Sequence, residues 1–424
     1  MTPGARIAAA AGVLDRILAG EPAEVALTRW ARASRFAGSG DRAAVRDHVY
    51  DALRRRRSLA ARAGAADAAA AGAGGPAPAA GPLTGRQLMI GLVAAGGQDP
   101  DRVFSGEGHA PARLTVDERA AMLRGETATL AEPVRLDVQD WQLPLFRETL
   151  GDRTAAALDR MRGRATAFAR VNLALCERGE AIRRLAADGI AAEAHPLAES
   201  AVALGDGAPR LRQSGAFRDG WVELQDAAGQ ATCALIPLAD GARMLDFCAG
   251  GGGKSLATAA LAARDRRRLE IVAHDADPGR MADFPVRARR ARLADCAPPV
   301  TIELMGLSDL RRVDPFDLVL VDAPCSGSGT WARTPDAKWR MKDADLRSQV
   351  ARQAGILDLA QSLARTDGGV LVYMTCSLFA PENGGQVQAF LARHAGWQLR
   401  GERQFDPLEG GDGFYVAILE RGFA

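Results

Sequence analysis

The sequence predicts an α/β protein in which a largely parallel sheet is preceded by an all-helical domain and a small α+β module. Three observations support this fold class: apolar residues recur at helical spacing through the first 60 residues, strand-like and helical runs mix between Pro133 and about Asp226, and short apolar runs alternate with helical segments after Arg243. A chain of 424 residues is long enough for three such units. We therefore expect domains at residues 1–125, 133–228 and 229–424.

The first domain is predicted to contain only helices. Ile7, Leu14 and Ile17 share one face of a helix, and Thr115 and Glu118 have the spacing of a capping box, at which a helix begins. Residues 63–82 are nearly all Ala, Gly and Pro, a composition that cannot build a core and indicates a loop or hinge. Further helical patterns cover residues 23–35, 41–57 and 84–95.

Strands are predicted in the two later domains. In the α+β module strands are expected at Phe168–Leu175, Val202–Leu204 and Trp221–Leu224. A helix is expected at Glu180–Asp188, between the first two of them. In the last domain buried-looking runs alternate with helices, which is typical of βαβ units and of an open sheet covered on both faces. Those runs are Met244–Phe247, Glu270–Ala273, Thr301–Leu304, Leu318–Val321 and Val370–Met374, followed by a terminal strand at Phe414–Leu419.

Composition and cysteine spacing exclude several classes of protein. Hydrophobic residues make up 47% of the chain and charged residues 25%, no run of 18 apolar residues occurs, and the first 30 residues lack the pattern of a secretion signal. The six cysteines include no C-x-x-C pair, which argues against a disulfide framework or a zinc site. We therefore expect a cytoplasmic protein that binds no metal.

The basic residues are unevenly distributed. The net charge is only +2, but ten arginines and three aspartates lie between Arg29 and Arg62. Such a local excess is expected of a surface that binds phosphates, although a solvated helix face can have the same composition.

A glycine-rich segment follows the first strand of the last domain. Where this strand gives way to a helix, the sequence reads Cys248-Ala249-Gly250-Gly251-Gly252-Gly253-Lys254. Glycines there let a ligand approach the backbone and the helix N-terminus, and Asp275 follows at the spacing at which an acid meets ribose hydroxyls in nucleotide-binding folds. A kinase-type P-loop requires glycine where Cys248 stands, so that interpretation fails. The remaining alternative is a structural turn.

Two cysteines follow predicted strands of the same sheet. Cys325 stands in Asp322-Ala323-Pro324-Cys325-Ser326-Gly327, and Cys376 stands in Thr375-Cys376-Ser377. Ligands bind at the C-terminal edge of a parallel sheet, and packing gives little reason for an acid, a proline and a cysteine there. A single cysteine is more often a small buried hydrophobe, but two of them beside a nucleotide-type loop favour nucleophilic chemistry.

Together these motifs resemble those of the Sun/Fmu family of RNA cytosine-5 methyltransferases. The segment Asp322–Gly327, with Arg333 and Pro335–Trp339 after it, resembles the family's fourth motif, Thr375–Ser377 with Glu382-Asn383 resembles its sixth, and Cys248–Lys254 resembles its cofactor loop. The N-terminal part is similar, more weakly, to the NusB-like helical domain of bacterial 16S ribosomal RNA members. Arg170–Asn172 and Val222–Asp226 are similar to the RNA-binding module between that domain and the core.

The resemblance implies a Rossmann-like class I methyltransferase core, S-adenosylmethionine as cofactor, and RNA, in particular small-subunit ribosomal RNA, as the partner of a monomeric enzyme. It implies that Cys376 attacks carbon 6 of cytosine, that Cys325 helps remove the carbon-5 proton and expel Cys376, and that Asp322 supports the base at N3 or faces the cofactor. Arg333 and Lys338 become candidate phosphate or base contacts, with surface ion pairs as the alternative. The residues expected against the cofactor are Cys248, Ala249, Gly250, Gly251, Gly252, Gly253, Lys254, Asp275 and Asp322.

The sequence departs from the family at two points. Gly250 and Gly251 stand where the family usually has Ala-Pro, so we expect a more flexible cofactor loop that costs more to order. The acid of the third motif has no match near Gly306, and the nearby Asp309 is left unassigned. Two other functions stay open: a DNA cytosine-5 methyltransferase, in which Cys325 would be the nucleophile, and a non-catalytic RNA-binding protein that would need only the first domain.

Overall fold

The computed structural model describes residues 1–65, 82–127, 129–297 and 300–422, so most of the predicted loop at 63–82 lies outside the described residues. The chain forms two compact units, one comprising Met1–Arg164 with Trp331–Asp343 and the other Ala165–Thr330 with Ala344–Ala424. The division at residue 164 differs from the boundary expected near residue 125, because helices continue as far as Met161. In the part of the chain that is described, no helix is both long and apolar enough to traverse a lipid bilayer.

The first unit is built from helices. Its core contains the apolar side chains that share helical faces in the sequence, among them Leu14, Val49 and Leu88. The predicted capping box is present, since Thr115 and Glu118 exchange hydrogen bonds with each other's backbone amides. The helices that precede the first strand are α1 (Pro3–Leu18), α2 (Ala23–Ala33), α3 (Ser39–Arg54), α4 (Arg56–Arg62), α5 (Gly85–Ala95), α6 (Pro100–Val103), α7 (Val116–Thr127), α8 (Glu132–Arg135), α9 (Gln142–Leu150) and α10 (Thr154–Met161).

The second unit begins with a four-stranded antiparallel sheet. Its strands are β1 (Ala167–Val171), β2 (Ala192–Ala194), β3 (Ala201–Leu204) and β4 (Val222–Leu224), arranged in the order β2-β3-β1-β4. Helices α11 (Arg178–Ala187) and α12 (Gly215–Arg218) belong to the same module. Leu185 of α11 packs with Val171 and Val202 of the sheet, which buries the apolar face of this module.

A seven-stranded sheet forms the rest of the second unit and confirms the predicted α/β class. The strands lie in the order β10-β11-β9-β8-β5-β6-β7, parallel from β9 to β7, with β10 and β11 antiparallel at one edge. They are β5 (Ala242–Asp246), β6 (Leu269–Ala273), β7 (Val300–Leu304), β8 (Leu318–Asp322), β9 (Val370–Thr375), β10 (Trp397–Phe405) and β11 (Phe414–Arg421). The helices that accompany this sheet are α13 (Ala227–Ala234), α14 (Gly253–Arg264), α15 (Phe284–Ala291), α16 (Leu307–Leu310), α18 (Asp343–Ala360) and α19 (Gly384–Arg393). Helix α17 (Pro335–Arg340) belongs to the first unit.

The strand order reverses between β5 and β8. From β5 the chain continues to β6 and β7 on one side and returns to β8 and β9 on the other, which creates the crevice where open α/β sheets bind ligands. Asp246 of β5 is in register with Leu320 of β8, and Asp322 of β8 is in register with Met374 of β9. The segments that follow these three strands therefore leave the sheet at the same edge.

The segment Trp331–Asp343 returns to the first unit. Trp339 Nε1 donates a hydrogen bond to the Leu53 carbonyl at 2.6 Å, and Arg54 Nε donates to the Ala332 carbonyl at 2.7 Å. Arg54 is buried by these contacts, and Arg57 is buried where it donates a hydrogen bond to the Val138 carbonyl at 2.7 Å. Neither alternative for the arginine-rich stretch, a phosphate surface or a solvated face, describes these two residues. The exposed arginines of that stretch include Arg29, Arg32, Arg35, Arg42 and Arg46.

Candidate active site

The glycine segment turns sharply between β5 and α14. Gly250 and Gly252 have φ values of +49° and +75°, in the left-handed region that glycine adopts without strain. A Cβ on Gly252 would lie 2.4 Å from the ring of Phe284, so the ring would have to move to admit another residue. Within the described chain, no side chain caps the start of α14, which leaves the amides of its first turn available to a ligand.

Asp275 contacts this turn from the end of β6. One carboxylate oxygen accepts a hydrogen bond from the Gly250 amide at 2.9 Å and lies 3.2 Å from Arg280 Nη1, and the other accepts from the Asp277 amide at 2.9 Å. The residue is buried. The acid expected from the sequence to meet a ribose therefore also fixes the shape of the glycine turn.

Asp246, the last residue of β5, is a buried acid that was not among the site residues expected from the sequence. Its Oδ2 accepts a hydrogen bond from the Ser255 hydroxyl at 2.6 Å, whereas its Oδ1 has no hydrogen-bond donor among the described residues. Burial raises the pKa of Asp246 to about 7, against the bond from Ser255, which lowers it. An acid at a strand end followed by a hydroxyl in the first helical turn is the signal that could have identified this pair.

Lys254 and Asp322 form an ion pair at the point where the sheet order reverses. Lys254 Nζ lies 2.8 Å from Asp322 Oδ2 and 4.8 Å from the centre of the Phe414 ring. Burial alone would lower the pKa of Lys254, but the Asp322 carboxylate outweighs burial, and the pKa of the lysine is raised. The pair therefore connects the end of the glycine segment to the acid that begins the Cys325 motif.

The two cysteines of the predicted site lie side by side. The Sγ atoms of Cys325 and Cys376 are 3.4 Å apart, and both residues are partly exposed. The parallel pairing of β8 with β9 explains this contact, because Cys325 follows the end of β8 by three residues and Cys376 directly follows β9. The hydrogen bond with Cys376, together with burial, raises the pKa of the Cys325 thiol well above its ordinary value.

A buried carboxylate joins the segments that carry the cysteines. Glu382 Oε1 accepts hydrogen bonds from the Ser326 amide at 2.8 Å and from Gln353 Nε2 at 3.0 Å. Its Oε2 accepts from the Ser377 hydroxyl at 2.6 Å and from the Ser326 hydroxyl. Ser326 and Ser377 each directly follow one of the cysteines, so Glu382 holds both segments in place. In the sequence Glu382 belongs to the sixth motif, but no pattern there indicates this role.

Arg333 and Lys338, the candidate RNA contacts, belong to the first unit. Arg333 is half-buried. Lys338 is 7% exposed, its Nζ donates a hydrogen bond to the Arg54 carbonyl at 3.3 Å and lies 4.6 Å from the centre of the Trp339 ring, and burial lowers its pKa to about 8. Lys338 is therefore not in a surface ion pair, which was the alternative to an RNA contact. The ammonium group already contacts partners within its own unit.

Family models match two stretches of the chain. Residues 233–419 match the model of the 16S rRNA methyltransferase RsmB/F, and residues 139–209 match that of the ferredoxin-like domain of RsmF/B-like methyltransferases. The second match begins ahead of β1, includes α9 and α10, and continues through β1, β2 and β3 of the antiparallel sheet. The first covers all seven strands of the larger sheet almost completely.

Relatives and solved structures agree with these matches. The ribosomal RNA small subunit methyltransferase B of Vibrio vulnificus is 33% identical over 287 residues, and that of Serratia proteamaculans is 33% identical over 294 residues. Both alignments cover 66% of this chain, and the chain spans 65% of the length of each relative.

The crystal structure of PH0851 is similar over 99% of both chains, with a TM-score of 0.70 and 20% identity, and this likeness shows a shared fold. A methyltransferase homologue from Pyrococcus horikoshii, 21% identical with a TM-score of 0.57, covers 69% of this chain and is itself matched over its whole length. With the family models and the relatives in agreement on the motif-bearing core, the chain belongs to the Sun/Fmu family of methyltransferases, and within that family its core matches the RsmB/F type.

Proposed function

We propose that this chain is an S-adenosylmethionine-dependent methyltransferase that modifies carbon 5 of a cytosine in small-subunit ribosomal RNA through a covalent adduct of Cys376. The observation that carries the proposal is the pair of thiols, 3.4 Å apart at the carboxyl ends of β8 and β9. Buried structural cysteines are inert and have no need of a second thiol in contact. A second thiol is needed, however, in a reaction in which one sulfur attacks the base and another group helps to release it.

The glycine turn fits a nucleoside-type cofactor. Four consecutive positions, Gly250 to Gly253, lack a Cβ, the first amides of α14 have no side-chain cap, and Asp275 lies buried against the turn. Family resemblance assigns the cofactor to residues 248–254, Asp275 and Asp322. When bound, S-adenosylmethionine supplies the methyl group that carbon 5 accepts.

Carbon 5 of cytosine is a poor nucleophile until a thiolate adds to the ring. In the proposed reaction the Cys376 thiolate forms a bond to carbon 6, and the electrons of the C5=C6 bond move towards carbon 5 and N3. After methylation, Cys325 takes the proton from carbon 5. The C5=C6 bond then forms again and its formation expels the Cys376 thiolate, which restores the enzyme.

The contact between the thiols supports this division of roles. Because its pKa is raised, Cys325 keeps its proton to higher pH and can donate it in a hydrogen bond to a Cys376 thiolate. Once Cys376 is bonded to carbon, it carries no charge and is a weak acceptor, so the largest cause of the raised pKa disappears. Cys325 therefore loses its proton to solvent more readily after the attack, and the thiolate that remains can take the proton from carbon 5.

Asp322 and Lys254 are proposed to act as a pair near the base. An ionised Asp322 can only accept hydrogen bonds, whereas Lys254, whose pKa is raised, keeps its protons and can counter negative charge at N3. The Asp322 side chain is 30% exposed, so it is accessible to a ligand. The target base must be unstacked to reach a pocket of this kind, which favours a loop or locally opened RNA.

The assignment of the two cysteines is tested by trapping. Cys376→Ala should abolish methyl transfer and any covalent RNA complex. Cys325→Ala should permit attack and methylation but impair release, so that protein stays attached to methylated RNA as a slower band in denaturing electrophoresis. Cys296→Ala, at a partly exposed cysteine outside both motifs, should leave both readouts unchanged.

The opposite result, a trapped complex with Cys376→Ala and none with Cys325→Ala, would make Cys325 the nucleophile and favour the DNA cytosine-5 mechanism. Transfer of tritium from labelled cofactor to ribosomal RNA and to DNA, measured in parallel, distinguishes the substrates. A chain that binds RNA without incorporating label into either would be a non-catalytic RNA-binding protein.

A further inference from the structure

We propose that Arg287 and Arg170 are positioning residues for the cofactor turn, and that Glu223 of the four-stranded sheet holds Arg287 in place. In this arrangement the α+β module sets the conformation in which the glycine turn receives its ligand. The inference rests on the proposed function, because it assigns these residues to S-adenosylmethionine binding.

The turn needs external support. Four consecutive glycines lose more backbone entropy on ordering than other residues do, and two of them, Gly250 and Gly251, stand where the family usually has Ala-Pro. The Asp275 carboxylate fixes Gly250 at the start of the turn. The carbonyls of Gly251 and Gly253 point instead to groups outside the loop.

Arg287 on α15 supports the middle of the turn. Its Nη1 donates a hydrogen bond to the Gly251 carbonyl, and its Nε lies 3.3 Å from the Glu223 carboxylate on β4. The guanidinium is so close that a Cβ on Gly251 would lie 2.8 Å from Nη1. A side chain at position 251, such as the family's proline, would therefore require the Arg287 guanidinium to shift away from the turn.

Arg170 on β1 supports the end of the turn. Its Nη1 donates to the Gly253 carbonyl at 2.9 Å and to the Gln225 side chain at 2.5 Å. Arg170 is 5% exposed, and the bond to Gly253 comes from a strand that lies 83 residues earlier in the chain. The module therefore reaches the turn twice, directly through Arg170 and through Glu223 by way of Arg287.

The charges around Glu223 are arranged to hold the guanidinium groups in place. Glu223 accepts hydrogen bonds from both Arg287 and Arg290, and the three side chains are only 16%, 22% and 20% exposed, respectively. Arg290 also lies 4.0 Å from the centre of the Phe217 ring. A partly buried carboxylate between two arginines fixes their positions more firmly than an exposed ion pair would.

A second ion pair between the module and the core provides the matched control. Arg264 at the end of α14 lies 2.6 Å from Glu199, and the Glu199 side chain is 68% exposed. This pair connects the same two parts of the unit, but it does not touch residues 250–253. Glu199→Gln therefore removes an inter-module charge without removing a contact to the turn.

The experiment measures S-adenosylmethionine binding by calorimetry in the wild type, Glu223→Gln, Arg287→Gln and Glu199→Gln. We expect Glu223→Gln and Arg287→Gln to raise Kd about threefold to tenfold, the scale of one ordinary hydrogen bond, because these residues act on the turn and not on the ligand. Both variants should raise KM for the cofactor while kcat stays the same. Amide exchange in residues 250–253 of the cofactor-free protein should quicken in both variants. Glu199→Gln should match the wild type in each measurement.

The double variant gives a further test, since Glu223 acts through Arg287. Glu223→Gln combined with Arg287→Gln should bind no more weakly than Arg287→Gln alone. If Glu223→Gln fails to fold, Arg287→Gln tests the support by itself.

Wild-type affinity in Arg287→Gln, or an equal loss in Glu199→Gln, would overturn this proposal and leave the proposed function intact. A wild-type protein that binds no S-adenosylmethionine would overturn both.

Discussion

Substituting Asp246 with Asn should remove a pH dependence from the stability of the second unit. Asp246 is fully buried, and only one of its oxygens, Oδ2, receives a hydrogen bond, from Ser255 at 2.6 Å. Burial raises its pKa to about 7 from the ordinary value of 3.8. Because the folded state binds this proton more tightly than the unfolded chain does, the stabilisation is fully present below pH 4 and is lost as the pH rises through about 7.

The size of the effect follows from the two pKa values. Ionising the buried carboxyl in the folded protein, relative to the unfolded chain, costs about 4 kcal/mol once the pH exceeds 7. Asn keeps an acceptor for the Ser255 hydroxyl but brings an amide into the place of Oδ1, at a pH-independent cost of about 1–3 kcal/mol. The wild type should therefore lose about 3 kcal/mol of stability relative to the variant between pH 5 and pH 8.5.

Urea unfolding at intervals from pH 5 to pH 8.5 measures this difference, and amide exchange of the β5 peptide confines it to the second unit. Asp265→Asn, at an exposed acid on the turn after α14, serves as the control and should keep the wild-type profile. Parallel stability profiles for the wild type and Asp246→Asn would refute this prediction, because they would show that Asp246 does not titrate between pH 5 and pH 8.5.

Three further predictions concern the site and the RNA surface. Asp275→Asn should weaken S-adenosylmethionine binding more than tenfold, since a charge-assisted contact is worth about 1.5–3 kcal/mol, and unchanged affinity in calorimetry would contradict the ribose assignment. Glu382→Ala should destabilise the protein by about 3–5 kcal/mol in urea unfolding, because the carboxylate accepts four hydrogen bonds in a fully buried position. A loss of stability below about 1 kcal/mol would show that these bonds are dispensable. Neutralising the exposed Arg35 and Arg42 should flatten the dependence of log RNA affinity on log salt by about 0.7 per lost phosphate contact. Arg102→Gln, at an arginine that is 89% exposed, should leave the slope unchanged. Equal slopes in the wild type and both variants would mean that the face with Arg35 and Arg42 is only solvated.

The sequence predicted most of the strands that build the site. Leu318–Val321 and Val370–Met374 are short apolar runs, and they became two neighbouring parallel strands with bounds extended by one residue. The position of Cys325 and Cys376 after these runs was enough to expect them at one edge of a sheet, since parallel strands end together. Strand β10 was not predicted, because its edge position leaves the residues between Trp397 and Phe405 mostly polar and exposed.

What the sequence could not predict depends on contacts between distant residues. Glu382 lies 56 residues from Ser326, and no local pattern shows that its carboxylate will reach the amide and hydroxyl of that residue. Arg54 and Lys338 carry charge and were therefore expected at surfaces, yet both are buried, with backbone carbonyls as partners. Their burial follows from the return of the segment 331–343 to the first unit, a connection that periodicity and composition do not encode.

That return has a consequence for the way the protein is made. The helices up to Arg164 leave the ribosome early, but the segment that completes their packing ends at Asp343, 179 residues later. At typical rates of synthesis this corresponds to a delay of about 10–35 s. During that time the carbonyl of Leu53 lacks its partner, the indole of Trp339, and the guanidinium of Arg54 lacks the carbonyl of Ala332.

The N-terminal helices therefore cannot reach their final packing until β8 has been synthesised. A fragment ending at residue 164 would lack the same partners permanently, with polar groups exposed or unpaired where the complete chain buries them. The helical unit, which begins first along the chain, therefore completes its packing only after β5 to β8 have been made and before β9, β10 and β11 follow.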